Sequence, residues 1–260
     1  MPVGAMRAAV PKATHAEYVL RLADTSLILA QRLGEWVGHA PALEEDLGLG
    51  NLALDMLGQA RLLLTHAGQL DGTGRSEDEL AFFRDGPQFR NFTLVEQPNG
   101  DFAHSLVRQY FIDAWQVPMF QALSGSVDED LAAIAAKSLR EAKYHLRFSS
   151  GWLVRLGDGT HESHARTQAA ADSLIRFTRE MLEPDTVDQA CLDVGIGADL
   201  REVQAAWLAD ARRVFAEATL RLPEAPRGAP VGKQGAHSEY LGYVLTGMQF
   251  MQRSYPGAEW

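Results

Sequence analysis

The 260-residue chain contains a single cysteine, Cys191. One thiol excludes an internal disulfide framework and any all-thiolate metal site, and it fits a reducing, cytoplasmic setting. Basic residues are few: 24 Lys and Arg stand against 34 Asp and Glu, for a formal charge of −10, and no Lys/Arg block interrupts the chain. Phosphate binding needs a concentrated basic face, so the composition argues against nucleic acid as a partner. An unbroken membrane-length apolar run is lacking too. The most apolar stretch, LGLGNLALDMLGQARLLL at 47–64, is interrupted by Asn51, Asp55, Gln59 and Arg61. Four such groups would be expensive in hydrocarbon, and a buried helix is the better reading. The opening MPVGAMRAAVPKATH has no sustained apolar core of a secretory signal. It reads as a flexible lead over 1–14, followed by one domain over 15–260. Neither a convincing β-strand run, nor a hairpin dipeptide, nor a short-period repeat is found.

What is present is helical periodicity. With 46% hydrophobic residues the chain can bury one substantial core. The spacing predicts helices over 15–36, 42–68, 101–124 and 128–156, then 160–183, about 199–221, and 236–254. The segment at 42–68 is apolar on almost all sides, as for a helix surrounded by others. Asp101 and Asp128 sit where N-caps belong, Pro118 should kink the third helix, and QPNG at 97–100 is a turn. The fourth helix carries Leu131, Ala135, Ser138, Ala142, His145, Ser149, Trp152 and Leu156 on one stripe. The fold class is all-α. Two long antiparallel pairs, 15–68 and 101–156, form the core, and additional C-terminal helices pack around them.

Each core helix also places an acid where an inward residue is expected: Asp24, Asp55, Asp113 and Glu141. One carboxylate per helix is the layout of ferritin-like di-iron proteins, which add a histidine at i+3 on two of the helices. Positions i and i+3 sit side by side, so both can reach one ion. Here Gly58 follows Asp55 at i+3, and Tyr144 follows Glu141. If His145 is instead placed in the histidine slot, the carboxylate slot falls on Ala142. In either register both E-x-x-H pairs are broken, and no metal site is expected; Glu141 and His145 at i,i+4 could at most chelate one ion. The spacing suggests hydrogen-bonded substitutes along each helix: Asp55 with Gln59, Gln109 with Asp113, Glu141 with His145. Arg21, Arg61 or Arg147 could supply positive charge, whereas Lys143 points about 200° away from Glu141. The competing reading is that some of these acids face solvent, Asp24 before Asp55.

The stretches LGEWVGHAPALEEDLGLGNLALDMLGQAR (33–61), LVEQPNGDFAHSLVRQYFIDAW (94–115) and EAKYHLRFSSGWLVRLGDG (141–159) closely resemble the non-catalytic C subunits of bacterial 1,2-phenylacetyl-CoA epoxidase, from about residue 15 to Trp260. The resemblance implies a ferritin-like bundle without catalytic residues or cofactor of its own. It implies tight pairing with a homologous catalytic A subunit that holds the di-iron centre, in a hetero-oligomer served by a reductase that draws on NADPH. Oxygen and phenylacetyl-CoA would be that complex's substrates. Trp36, Trp115, Trp152, Trp207 and Phe250 are candidate interface anchors, against the plainer reading that most pack in the chain's own core.

Weaker signals remain. GAPVGKQGAH (228–237) resembles a phosphate cradle but lacks the strand–loop–helix setting and the G-K-[ST] ending, so a flexible crossing packed on the partner is the preferred reading. Ser149, Ser150 and Cys191 have no triad companions. His15, His39, His66, His104, His161, His164 and His237 read as surface or cap residues rather than ligands. The rival functions are a self-sufficient di-iron or manganese oxidase and a helical acyl-CoA-binding module.

Overall fold

A computed structural model describes residues 10–226, 228 and 231–258. The predicted lead is outside the described residues over 1–9. From Lys12 onward the chain is already helical, Pro11 occupying the N-cap position. Eleven α-helices and no strand occur among the described residues: α1 Lys12–Gly34, α2 Leu43–Leu70, α3 Glu77–Phe82, α4 Thr93–Glu96, α5 Phe102–Leu123, α6 Glu129–Gly157, α7 His161–Leu174, α8 Arg179–Leu182, α9 Thr186–Asp193, α10 Leu200–Glu217 and α11 Glu239–Ser254. Helices α1 and α2 form one antiparallel pair, α5 and α6 another, and α2 lies against α6 to close a four-helix bundle. The α7 and α10 helices cover α5, α9 rests on α1, and α11 packs on α3 and α1. No described helix is long and apolar enough to cross a membrane.

The helix surrounded on all sides is α5, not α2. Val107, Tyr110, Phe111 and Ile112 are fully buried, and Ala114 and Trp115 nearly so. Trp207 of α10 donates its indole N–H to the Phe111 carbonyl at 3.0 Å. By contrast Leu43, Leu47, Leu54 and Leu57 leave one face of α2 open, although their apolar character matches the rest of that helix. Hydrophobicity alone does not tell a side covered by this chain from one left uncovered.

Start signals are legible where side-chain chemistry fixes them. Asp101 accepts from the His104 amide at 2.9 Å and Asp128 from the Leu131 amide at 3.0 Å, each satisfying a donor that the helix leaves orphaned. The Ser76–Glu79 and Asp185–Asp188 capping boxes start α3 and α9, two helices the periodicity misses because they are too short to show a period. The predicted 160–183 helix breaks after Leu174, where the Thr178 hydroxyl donates to the Ile175 carbonyl at 2.9 Å. On α6 the inward stripe matches as far as Ser149, then moves to Leu153 and Gly157 instead of Trp152 and Leu156. A straight helix drifts about 20° per heptad, enough to shift a long stripe by one residue. At the end of that stripe Gly157 meets the residues after α10 so closely that a Cβ would lie 2.3 Å from the Ala218 carbonyl oxygen.

Candidate functional site

The inward polar positions of α2, α5 and α6 converge in the middle of the bundle. Helix α2 offers Met56 and Gln59, α5 offers Gln109, Asp113 and Gln116, and α6 offers Ser138, His145 and Ser149, all essentially buried. Asp113 accepts from Gln109 Nε2 and from the Ser149 hydroxyl, both at 2.7 Å. Gln116 Nε2 approaches Gln59 Oε1 at 3.4 Å and the Met56 sulfur at 3.6 Å. His145 places Nε2 3.0 Å from Asp55 Oδ2, and Gln59 donates to Glu141 at 3.2 Å. Asp55 and Glu141 stand at the rim, their side chains 39% and 24% exposed. Lys137 lies 3.9 Å from the Glu141 carboxylate.

This arrangement corrects the expected pairings. Gln109 and Asp113 do bond along their own helix, as the spacing suggests. The other two pairs exchange partners across the α2–α6 interface: Asp55 meets His145 rather than Gln59, and Glu141 meets Gln59 rather than His145. Sequence spacing shows which residues share a helix face but not which facing helix reaches them first. The apolar run around Asp55 suggests burial, yet the residue borders the open face of α2. Asp24 is fully buried, and none of the arginines considered from sequence neutralises it. Arg84, from the turn after α3, forms a two-pronged pair with it, while the Arg90 amide donates to Oδ2 at 2.9 Å. Arg21 instead holds Asp185 at 2.9 Å, Arg61 lies near Glu77 on the surface, and Arg147 stacks over Tyr144. Asp24 therefore belongs to a separate ion pair, not to the central network.

The geometry also selects the register. Tyr144 is exposed, whereas Ala142 and His145 are fully buried, so His145 occupies the inward histidine slot of α6 and its carboxylate slot holds Ala142. On α2 the corresponding buried i,i+3 pair is Met56 and Gln59; Gly58 is turned aside, with open space where a Cβ would be. A di-iron centre of this bundle type draws a carboxylate and a histidine from each such pair. Here the two pairs supply a thioether, an amide, a methyl group and one imidazole. That donor set does not fit two iron ions.

Electrostatically the centre is under-compensated. Burial pushes the Asp113 carboxyl up to about 6, against the opposing pull of His145 and the bonds from Ser149 and Gln109. His145 Nδ1, Gln109 Oε1 and Gln116 Oε1 are buried without a hydrogen-bond partner in the chain. Each such atom costs about 1–3 kcal/mol when dry. The network positions and polarises, but among the described residues it gathers no cluster of acids around a common point.

The family described as phenylacetic acid catabolic protein matches residues 4–260. The C subunit of 1,2-phenylacetyl-CoA epoxidase from Escherichia coli K12 is 53% identical over 243 residues, covering 94% of this chain and 98% of that protein. This chain belongs to the phenylacetic acid catabolic protein family. A solved Synechococcus protein with aldehyde deformylating oxidase activity shares the fold at a TM-score of 0.61, covering 83% of this chain and 94% of that one. At 14% identity it speaks for the ferritin-like architecture alone.

Within this family member several other residues depart from their sequence reading. His66 is buried and His237 half-buried, rather than superficial. His237 Nδ1 lies 2.5 Å from Glu96, a fully buried acid that also accepts from Asn91 and from the Ser238 amide and hydroxyl. The described part of the 228–237 segment packs on its own chain: Lys233 reaches Asp188 and the Glu183 carbonyl, both at 2.7 Å, and its amide donates to Glu180. Its positive charge is thus committed internally. Glu96 and Glu180 escape sequence reasoning because both lie in elements too short for periodicity to expose a buried face. Of the candidate anchors, Trp115 and Trp207 are core residues, Trp36 and Trp152 are half-buried, and only Phe250 is largely exposed.

Proposed function

We propose that this chain is a non-catalytic structural subunit of a 1,2-phenylacetyl-CoA epoxidase. It pairs with and stabilises a homologous subunit that carries the di-iron centre, within a complex supplied with electrons from NADPH by a reductase. The observation that carries this reading is the pair of inward i,i+3 positions, Met56/Gln59 and Ala142/His145. They keep the places of the two E-x-x-H motifs but only one of the four ligands. The identity to the C subunit of an epoxidase points the same way.

A docking surface consistent with pairing lies on α2. Leu43, Leu47, Leu54 and Leu57, with Gly50 among them and Gly58 at the edge, fall within an arc of about 100° by helical geometry. The four leucines are 43–68% exposed, and neither glycine has an atom near its Cβ direction. An apolar stripe with a small residue within it and another at its edge admits a partner helix at close range. Co-expression with a ferritin-like chain that has both E-x-x-H motifs intact should yield a complex stable at micromolar concentration. Leu54→Glu should leave this chain folded and abolish co-purification. Failure of the wild-type chains to associate would overturn the reading, and about two irons in the separated chain would favour a self-sufficient oxidase.

A further inference from the structure

Outside the central network, three side chains from three separate elements converge at one end of the bundle. His15 comes from the first turn of α1, His66 from the last turns of α2, and Asp128 from the N-cap of α6. His66 Nε2 lies 2.6 Å and His15 Nε2 2.7 Å from the same oxygen, Asp128 Oδ2. The three donor atoms lie within 4.8 Å of one another. The other carboxylate oxygen is fixed by the Leu131 amide, so Oδ2 has its direction set by the helix start.

We propose that His15, His66 and Asp128 form a binding site for one zinc-class divalent ion, which clips the α1–α2 hairpin to the start of α6. Two imidazoles and a carboxylate are the ligand types such ions take, whereas calcium or magnesium would need more oxygen. In a tetrahedral zinc site with bonds of about 2.0–2.1 Å, ligand atoms sit roughly 3.3 Å apart. The present 2.6–2.7 Å contacts therefore open by about 0.6 Å on binding, within reach of small side-chain rotations. Hydrogen bonding alone accounts for the cluster poorly. His15 Nε2, although close to Oδ2, is outside hydrogen-bond geometry, and His66 Nδ1 is buried without a hydrogen bond. An ion would use the first. Asp130, whose exposed carboxylate is 4.0 Å from His66 Nδ1, could turn to orient that ring, as carboxylates do behind metal-bound histidines. Burial holds His15 below its ordinary value despite Asp128, which favours the neutral ligand form. With three protein donors, water completes the shell.

The test uses the full chain, free of affinity tag and stripped with chelator. Cobalt(II) is titrated first and followed by its visible absorption, then displaced with zinc(II). The expected result is saturable one-to-one binding with tetrahedral bands, and a rise in melting temperature with zinc. His15→Gln and Asp128→Asn should each weaken binding by about tenfold or more; the asparagine keeps an oxygen for the Leu131 amide. The control variant His161→Gln, at the exposed start of α7, should bind as wild type. Absence of saturable binding at micromolar metal would overturn the proposal, as would binding that survives both site variants. Neither outcome bears on pairing with a catalytic partner, which α2 mediates on a different face.

Discussion

Asp113→Asn should stabilise this protein above pH 6, although it removes a charged residue from the middle of the core. The native carboxyl has its proton affinity raised by burial, from an ordinary 3.8 to about 6. The folded state therefore binds the proton more tightly than the unfolded chain does. Stability owed to this group is greatest below about pH 4, falls as pH rises to about 6, and is flat beyond. At about 1.4 kcal/mol per tenfold in proton affinity, the interval is worth roughly 3 kcal/mol at full ionisation. An asparagine can still accept from Gln109 and, if the Ser149 hydroxyl turns, donate to it. It forgoes the attraction of His145, so a gain of roughly 2–3 kcal/mol at pH 8 is expected, or about 4–8 °C in melting temperature. Guanidinium midpoints followed by helical circular dichroism at pH 5, 6, 7 and 8 give the comparison. The variant's advantage should grow from roughly half its full value at pH 5 to its full value at pH 8. A variant less stable than wild type at pH 8, or a difference that does not change with pH, would show that Asp113 is not a dry, under-compensated carboxylate. Loss of stability together with loss of bound iron would show instead that the residue is a ligand.

Arg84→Met should cost about 3–5 kcal/mol, because it leaves Asp24 fully buried with only the Arg90 amide as donor. Adding Asp24→Asn should recover most of that loss, which a two-by-two set of urea midpoints would reveal. Gly157→Ala should cost several kcal/mol in the same assay, since its Cβ would meet the Ala218 carbonyl at 2.3 Å and backbone cannot step aside cheaply. Retention of wild-type stability there would mean that α6 and the end of α10 approach less closely than described.

The large features are legible in the sequence because they repeat. Four long segments with a helical period, capped by Asp101 and Asp128, give a bundle whatever their partners are. The loss of the E-x-x-H motifs is legible too, since either register fails. What escapes is long-range. Nothing local distinguishes Arg84 from Arg21 as the counter-charge of Asp24, because the choice is made by a turn 60 residues away. Exchange of partners between Asp55–His145 and Gln59–Glu141 likewise depends on the stagger of α2 against α6, which no spacing within one helix encodes. His66 reads as superficial because a lone histidine late in a helix has no periodic companions. Its companions are His15 and Asp128, 51 and 62 residues distant in sequence.

Three features thus share α2 without sharing side chains: an open stripe over Leu43–Gly58, the polar centre at Asp55–Gln59, and the clip at His66. At 1.5 Å per residue, Asp55 and His66 are about 16 Å apart along the axis. Sites that far apart with no common partner should contribute independently, within about 0.5 kcal/mol. Combining Asp113→Asn with His15→Gln should therefore give the pH-dependent gain of the first and the lost zinc response of the second, each at its single-variant size. If the gain from Asp113→Asn instead depended on zinc, the centre and the clip would be coupled through α2. The bundle would then have to be treated as one bistable unit rather than as a rigid frame carrying separate sites.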